Sequence, residues 1–265
     1  MMAALNKIAI TGKGGVGKTT LAALLAHIYK EQGRTVVAID ADPAGGLAAA
    51  LGVPPDLAER LTPIAEMDDL IEERTGARPG TYGGIFNMTP RVDDIPERFS
   101  LVHEGIRLLK LGSIEIGGSG CMCPENALLK ALVTHLLLYR HEMLIMDMEA
   151  GVEHLGRATA GAVDAMLVVV EPGQRSLQVA ERIRDLAADL GLKRLYAVGN
   201  KVRTADDRAF IAERSPLPLL GTLSASAEVI EADLKGLAAF HAAPAAVAEA
   251  RAVVAALEEQ MAGEG

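Results

Sequence analysis

Aromatic residues make up only 3% of this 265-residue chain, and tryptophan is absent. A surface that binds single strands by base stacking has almost nothing to stack with. No block of lysine and arginine stands out either, and the formal net charge is −9. Duplex nucleic acid, held by clustered cations, is disfavoured as a partner on that ground. Long apolar runs are missing too: "AMLVVV" at 165–170 has the length of a strand, well short of the ~20 residues a membrane helix needs. The opening "MMAALNKIAIT" has no basic segment followed by an apolar one, so it reads as neither a signal peptide nor a membrane span. Two cysteines do not make a disulfide framework. These absences lead us to expect an acidic, cytoplasmic protein without a nucleic-acid or membrane partner.

What is present is aliphatic. Half of the chain is hydrophobic, so the core must be built from Ala, Leu, Val, Ile and Met. Short aliphatic runs alternate with helical patterns, which implies an α/β fold of three layers, a mostly parallel sheet with helices on both faces. Strands are expected at 7–11, 35–40, 107–111, 143–147, 166–170, 195–199 and 217–221. Helices are expected at 19–33, 125–139, 176–190, 204–213 and 244–261. Residues 52–100, rich in Pro, Gly and acids, hold too little apolar material for a core of their own. We read 1–265 as one domain with an insertion of short helix and long loop at about 52–100.

"TGKGGVGKTT" at 11–20 carries the first chemistry. Gly12, Gly17, Lys18 and Thr19 fit G-x-x-x-x-G-K-[ST] between a strand and a helix, the P-loop arrangement. Glycines let the backbone curl until successive N–H groups face phosphate oxygens, and the helix N-terminus adds its positive dipole end. The nucleotide-binding set is then Gly12, Lys13, Gly14, Gly15, Val16, Gly17, Lys18, Thr19 and Thr20. Lys18 should reach the β and γ phosphates and the Thr19 hydroxyl should ligate Mg²⁺. A P-loop needs only one lysine, so Lys13 asks for its own explanation.

Acidic residues close two apolar runs. "VVAIDADP" sets Asp40 and Asp42 at a strand end, where ligands of open α/β sheets collect; an Asp-Pro turn is the plainer account of Asp42. "EMLIMDMEAG" is an apolar run closed by an acid, the Walker B pattern. Asp147 is placed to hold Mg²⁺ there, with Gly151 behind it and Glu149 either catalytic or bracing the segment. The only cysteines, Cys121 and Cys123, stand two apart in "GGSGCMCPEN". Pro124 suits the first position of a helix, so Cys123 falls at its cap, where a thiolate is favoured. Soft thiolates suit Zn²⁺ or Ni²⁺, and a closed zinc site takes four ligands. One chain supplies two, and a second copy across a two-fold axis completes the set most simply. A histidine-completed site, a redox pair or two inert core cysteines stay open.

"KGGVGKTT" resembles the deviant Walker A motif of the MinD, ParA and nitrogenase iron-protein group of ATPases. In that group the first lysine reaches the ATP of a partner subunit, so the resemblance implies a homodimer and catalytic roles for Lys13 and Lys18. It also implies that Asp42 orients the attacking water, that Asp40 lies near the Mg²⁺ shell, and that Asp147, Glu149 and Gly151 form switch II. By the same resemblance Asn200 in "GNKV" reads the purine edge, and Leu223 and Ser224 pack near the adenine. Taken with "DADP", "CMCP", "MDMEAGVEHLGRAT" and "EPGQRSLQ", these motifs resemble the CooC-type accessory ATPases of carbon monoxide dehydrogenase maturation. The implied protein hydrolyses ATP with Mg²⁺, cycles between ATP and ADP states, and holds Zn²⁺ or Ni²⁺ between two subunits at Cys121 and Cys123. Its client would be carbon monoxide dehydrogenase and its task nickel insertion. The alternatives are a ParA- or MinD-like partitioning or positioning ATPase and an iron–sulfur reductase like the nitrogenase iron protein. Against MinD-like membrane binding, the last twenty residues carry Glu249, Glu258, Glu259 and Glu264 against Arg251 alone.

Overall fold

A computed structural model describes residues 5–80, 85–112, 123–151 and 157–263. Its strands are β1 (Lys7–Gly12), β2 (Val36–Ala41), β3 (Leu101–His103), β4 (Ile106–Lys110), β5 (Met143–Met148), β6 (Ala165–Val170), β7 (Leu195–Val202) and β8 (Leu219–Ser224). They form one sheet in the order β3-β4-β2-β5-β1-β6-β7-β8, and only the edge pairing of β3 with β4 is antiparallel. Every residue of β2, β5 and β6 is buried, as befits parallel strands covered on both sides.

Successive side chains of a strand point to opposite faces, so each strand feeds two cores. Ile8, Ile10, Val36, Ala38, Ile145 and Leu167 meet helix Lys18–Glu31 and helix Pro244–Gly263 on one face. Ala9, Val37, Ile39, Leu144, Met146 and Val168 meet helices Pro124–Tyr139 and Gln174–Asp189 on the other. This is the expected three-layer α/β fold. Among the described residues no helix is long and apolar enough to cross a membrane.

The described residues of 52–100 form short helices, Pro55–Ala58, Asp68–Thr75 and Ile95–Phe99, with a 3₁₀ turn at Ile64–Glu66. Its apolar residues join the main cores: Val53 and Leu61 one, Ile64, Leu70, Ile71, Val92 and Ile95 the other. Several elements were not expected from the sequence, among them the one-turn helices Leu47–Ala50, Arg157–Ala160 and Ala239–Ala242, strand β3 and helix Ala227–Leu234. Strand β3 has three residues, with Val102 exposed, and turns into β4 through Glu104 and Gly105, both at positive φ (46° and 79°). A two-residue loop with two positive φ angles is the hairpin turn that matches strand twist. Helix Ala227–Leu234 follows β8, and its Ile230 and Leu234 face solvent, so no buried apolar stripe announced it.

Candidate nucleotide site

Strand β1 lies between β5 and β6, with β2 to β5 on one side of it and β6 to β8 on the other, so the chain order changes direction across β1. Ligands of open α/β sheets sit beyond the carboxyl ends of strands at such a point. Here lies a cleft of about 450 Å³ lined by Gly14, Gly15, Gly17, Lys18, Thr19, Asp42, Ala44, Glu149 and Ala150. The loop, the Asp42 segment and the Glu149 segment therefore converge, although they are far apart in sequence.

The loop's curl is demanded by its glycines. Gly17 has φ 96°, and a Cβ there would stand 2.1 Å from the Asn200 amide nitrogen. Gly12 has φ 145°, and its Cβ would stand 2.4 Å from the Val169 carbonyl oxygen. Helix Lys18–Glu31 begins directly after Gly17, with no acidic side chain in its first turn to compete for the dipole.

Charges at the base of the cleft are unusually buried. Lys18 is 6% exposed, Asp40 2% and Asp147 1%. Asp40 and Asp147 are register neighbours on β2 and β5. Burial pushes the Asp147 carboxyl up to about 7, helped by the nearby Asp40 charge and opposed by Thr19 and Lys18. Among the described residues no hydrogen bond of full geometry reaches either Asp147 oxygen, although the Thr19 hydroxyl stands close enough to favour the ionised form. A buried carboxylate left that way is destabilising unless a cation arrives. Hard oxygen donors are what Mg²⁺ takes, so the Asp147 oxygens with the Thr19 hydroxyl beside them fit that ion. Asp40 differs. It accepts backbone N–H groups from Asp42 (3.4 Å), Gly46 (3.2 Å) and Leu47 (3.2 Å), and burial outweighs these bonds and the Lys110 charge to raise its carboxyl. It pins the segment after β2.

Asp42 serves two neighbours. Its Oδ1 accepts the Ala44 N–H at 2.9 Å, and its Oδ2 lies 3.8 Å from the Lys18 ammonium. The Asp-Pro turn and the approach to the phosphate site thus coexist in one side chain. Glu149 is exposed on the rim of the cleft. The Gly151 N–H donates to the Glu149 carbonyl at 2.9 Å.

Lys13 is not among the lining side chains. Its ammonium donates to Glu171 Oε1 at 2.9 Å, within its own chain. Asn200 donates from its amide to the Val16 carbonyl at 2.7 Å and accepts the Lys201 N–H at 2.8 Å, clamping the loop from outside. Leu223 is buried in the core as part of β8, and Ser224 is bonded through both its N–H (2.8 Å) and its hydroxyl (2.6 Å) to Glu249. Cys123 stands at the N-cap of helix Pro124–Tyr139, with Pro124 at the first helical position. Cys121 lies outside the described residues, as does His154. Among the described residues no group of three or more His, Cys, Asp or Glu could hold a metal ion.

Sequence reasoning missed Thr11, Glu171 and Lys201. Thr11 is fully buried; its hydroxyl donates to the Glu149 carbonyl at 2.7 Å and accepts the Gly151 N–H at 3.1 Å, fastening β1 to the segment after β5. A hydroxyl at the end of an apolar strand was the available signal. Glu171 and Lys201 carried none, because their partners lie 158 and 186 residues away.

The family model for the CobQ/CobB/MinD/ParA nucleotide-binding domain matches residues 7–239. The chain is 47% identical over 256 residues to the carbon monoxide dehydrogenase accessory protein CooC of Rhodospirillum rubrum, covering 96% of this chain and 97% of that one. It is also 47% identical over 233 residues to an uncharacterised ATP-binding protein of Methanocaldococcus jannaschii, covering 87% and 89%. In fold it is similar to the cell division ATPase MinD of Pyrococcus furiosus, with TM-score 0.68 at 19% identity over 97% of this chain and all of that one. A ParA family ATPase of Chlorobium tepidum gives TM-score 0.67 at 17% identity, over 95% and 99%. With a phosphate loop, a buried cation-seeking carboxylate and these relatives, the chain belongs to the CobQ/CobB/MinD/ParA nucleotide-binding family, and within it to the ATPases that include CooC.

Proposed function

We propose that the protein is a nucleotide-dependent dimerising ATPase and an accessory protein in nickel insertion into carbon monoxide dehydrogenase. The observation that carries the dimer is the position of Lys13. A second loop lysine that is turned to Glu171 rather than into its own cleft leaves its own phosphates to Lys18, and a second copy's nucleotide would give it a task.

Each residue then has a task. The loop N–H groups and Lys18 bind the β and γ phosphates. Thr19 and Asp147 hold Mg²⁺, with Asp40 near its shell, and the bound ion offsets phosphate charge. Asp42 orients the attacking water from the turn it caps, while Glu149 and Gly151 respond to the γ-phosphate. Asn200 gives up Val16 to read the purine edge, near Leu223 and Ser224. Lys13, supplied by the partner copy, stabilises charge on the transferring phosphoryl group as an arginine finger does. Nickel is cargo in this scheme. Cys121 and Cys123 of two copies make a four-thiolate set for Zn²⁺ or Ni²⁺, and carbon monoxide dehydrogenase, the enzyme that CooC of Rhodospirillum rubrum accompanies by name, is the client. One domain, 1–265, carries all of it in the cytoplasm.

The test is Lys13→Ala. Mg²⁺-ADP affinity should stay within about threefold of wild type, while turnover falls about 10³-fold, the scale of losing a cation from a phosphoryl-transfer site. Wild-type turnover in a Lys13→Ala protein that sediments as a monomer would refute the dimer. Anaerobic titration with Ni²⁺ and Zn²⁺, with mass read at each step, should give one metal per two chains. A Cys121/Cys123 double serine variant should give none.

A further inference from the structure

Glu171 holds two lysines. Its Oε1 accepts from Lys13 at 2.9 Å and its Oε2 from Lys201 at 3.4 Å. The backbone that carries this carboxylate is anchored, since its N–H donates at 3.0 Å to the hydroxyl of Ser176, which is 2% exposed. The hydrogen bond from Lys13 and the Lys201 charge hold its carboxyl below the usual range, so it is ionised at neutral pH. Lys201 is anchored as well. It is one of two non-glycine residues with positive φ (58°) among the described residues, in a stretch where the register of β7 against β8 shifts. That backbone is disfavoured for a side-chain-bearing residue. It persists here because Asn200 accepts the Lys201 N–H, and it aims the ammonium at both Glu171 and the Gly15 carbonyl, 2.5 Å away.

We infer that Lys201 is a positioning residue: it is the standing counter-ion of Glu171 that frees Lys13 to serve a second copy's nucleotide. This rests on the dimeric reading given above. With both lysines present, Glu171 has one cation more than it needs. When Lys13 leaves, Lys201 closes on the carboxylate, and no charge is left unpaired at the rim. Without Lys201, Lys13 is the only partner of Glu171, and its departure leaves a partly buried carboxylate alone, which resists the exchange.

The test compares Lys201→Met, Lys201→Arg, Glu171→Gln and the Glu171→Gln/Lys201→Met double variant, each with Mg²⁺ and a non-hydrolysable ATP analogue in sedimentation equilibrium. Lys201→Met should weaken the dimer about fivefold, the effect of losing one partly exposed ion pair. Lys201→Arg should retain wild-type association. The double variant should match Glu171→Gln, because with no carboxylate to satisfy Lys201 has nothing to do. A contact that merely shapes the loop through Gly15 would not be restored by Glu171→Gln. A Lys201→Met dimer as tight as wild type, or a double variant as weak as Lys201→Met alone, overturns the inference. Lys13→Ala in the same series separates the two ideas. If it associates and hydrolyses like wild type, the dimeric reading fails; if it is inactive while Lys201→Met is indifferent, only the role of Lys201 fails.

Discussion

Replacing Asp147 by Asn should stabilise the nucleotide-free protein at pH 8 while removing its response to Mg²⁺-ATP. The size of the gain follows from how far burial displaces the carboxyl. In the unfolded chain it ionises near 3.8, in the fold only at about 7. At about 1.4 kcal/mol per tenfold change in proton affinity, that gap amounts to about 4 kcal/mol. Between the two values the folded protein keeps a proton that the unfolded chain has shed. Stability therefore falls as pH rises through this window and stays low above it. Asn cannot ionise and escapes the loss, although its own unpartnered amide costs about 1–2 kcal/mol.

Urea unfolding of both proteins at pH 5.5 and pH 8 isolates the charge. Wild type loses a further ~2 kcal/mol over that interval through this one group, so the variant's advantage should grow by about 2 kcal/mol. The cost of the amide cancels in the comparison. Adding Mg²⁺-ATP should then raise wild type and leave Asp147→Asn little changed, by mass action on the folded state alone. An advantage that is equal at the two pH values would refute the buried carboxylate. So would a variant that gains as much from Mg²⁺-ATP as wild type does.

Two further substitutions probe the frame around that charge. Gly17→Ala puts a Cβ 2.1 Å from the Asn200 amide at φ 96°; we expect a loss of about 2 kcal/mol in thermal or urea stability and nucleotide affinity too weak to measure by calorimetry. Thr11→Val keeps the shape but removes the hydroxyl that ties the Glu149 carbonyl and the Gly151 N–H to β1, leaving those two groups only each other; it should cost about 1 kcal/mol and slow ATP turnover with little change in ADP affinity.

How much of this could be read beforehand depended on whether the information was local. The phosphate loop is contiguous, and its glycines are required by backbone angles that no other residue holds cheaply, so "TGKGGVGKTT" marked the loop side of the cleft. The inner strands were equally legible, because burial on both faces demands unbroken aliphatic runs. β3 was invisible: three residues at an edge, one of them exposed, have no periodicity to display. Leu223 and Ser224, placed near the adenine by resemblance, stand at the end of β8, the Leu223 side chain in the core and Ser224 bonded to Glu249. Lys13 is the instructive case. Its presence signalled a role outside the phosphate cradle, but nothing near it in sequence pointed to Glu171, which only the pairing of β1 with β6 brings alongside.

The two lysines of the loop divide the site's electrostatics between inside and outside. Inside, Asp40, Asp42 and Asp147 stand against Lys18, with Lys110 near Asp40, so carboxylates outnumber cations before a triphosphate enters. Loop N–H groups and a divalent ion relieve the ground state, yet charge that develops on the transferring phosphoryl group calls for a further cation in a place where it is not already neutralised. The chain has candidates close by in Lys13 and Lys201, and both are engaged by Glu171 at the rim. A monomer arranged this way can bind nucleotide and is poorly equipped to cleave it. Exchange of Lys13 between two copies would supply each cleft with its missing cation and leave each Glu171 with Lys201. Slow hydrolysis by the isolated chain and fast hydrolysis on association would then follow from one charge count, and turnover per chain should rise with protein concentration. A rate per chain that is flat across the monomer–dimer transition would show that the cleft finds its cation without a partner.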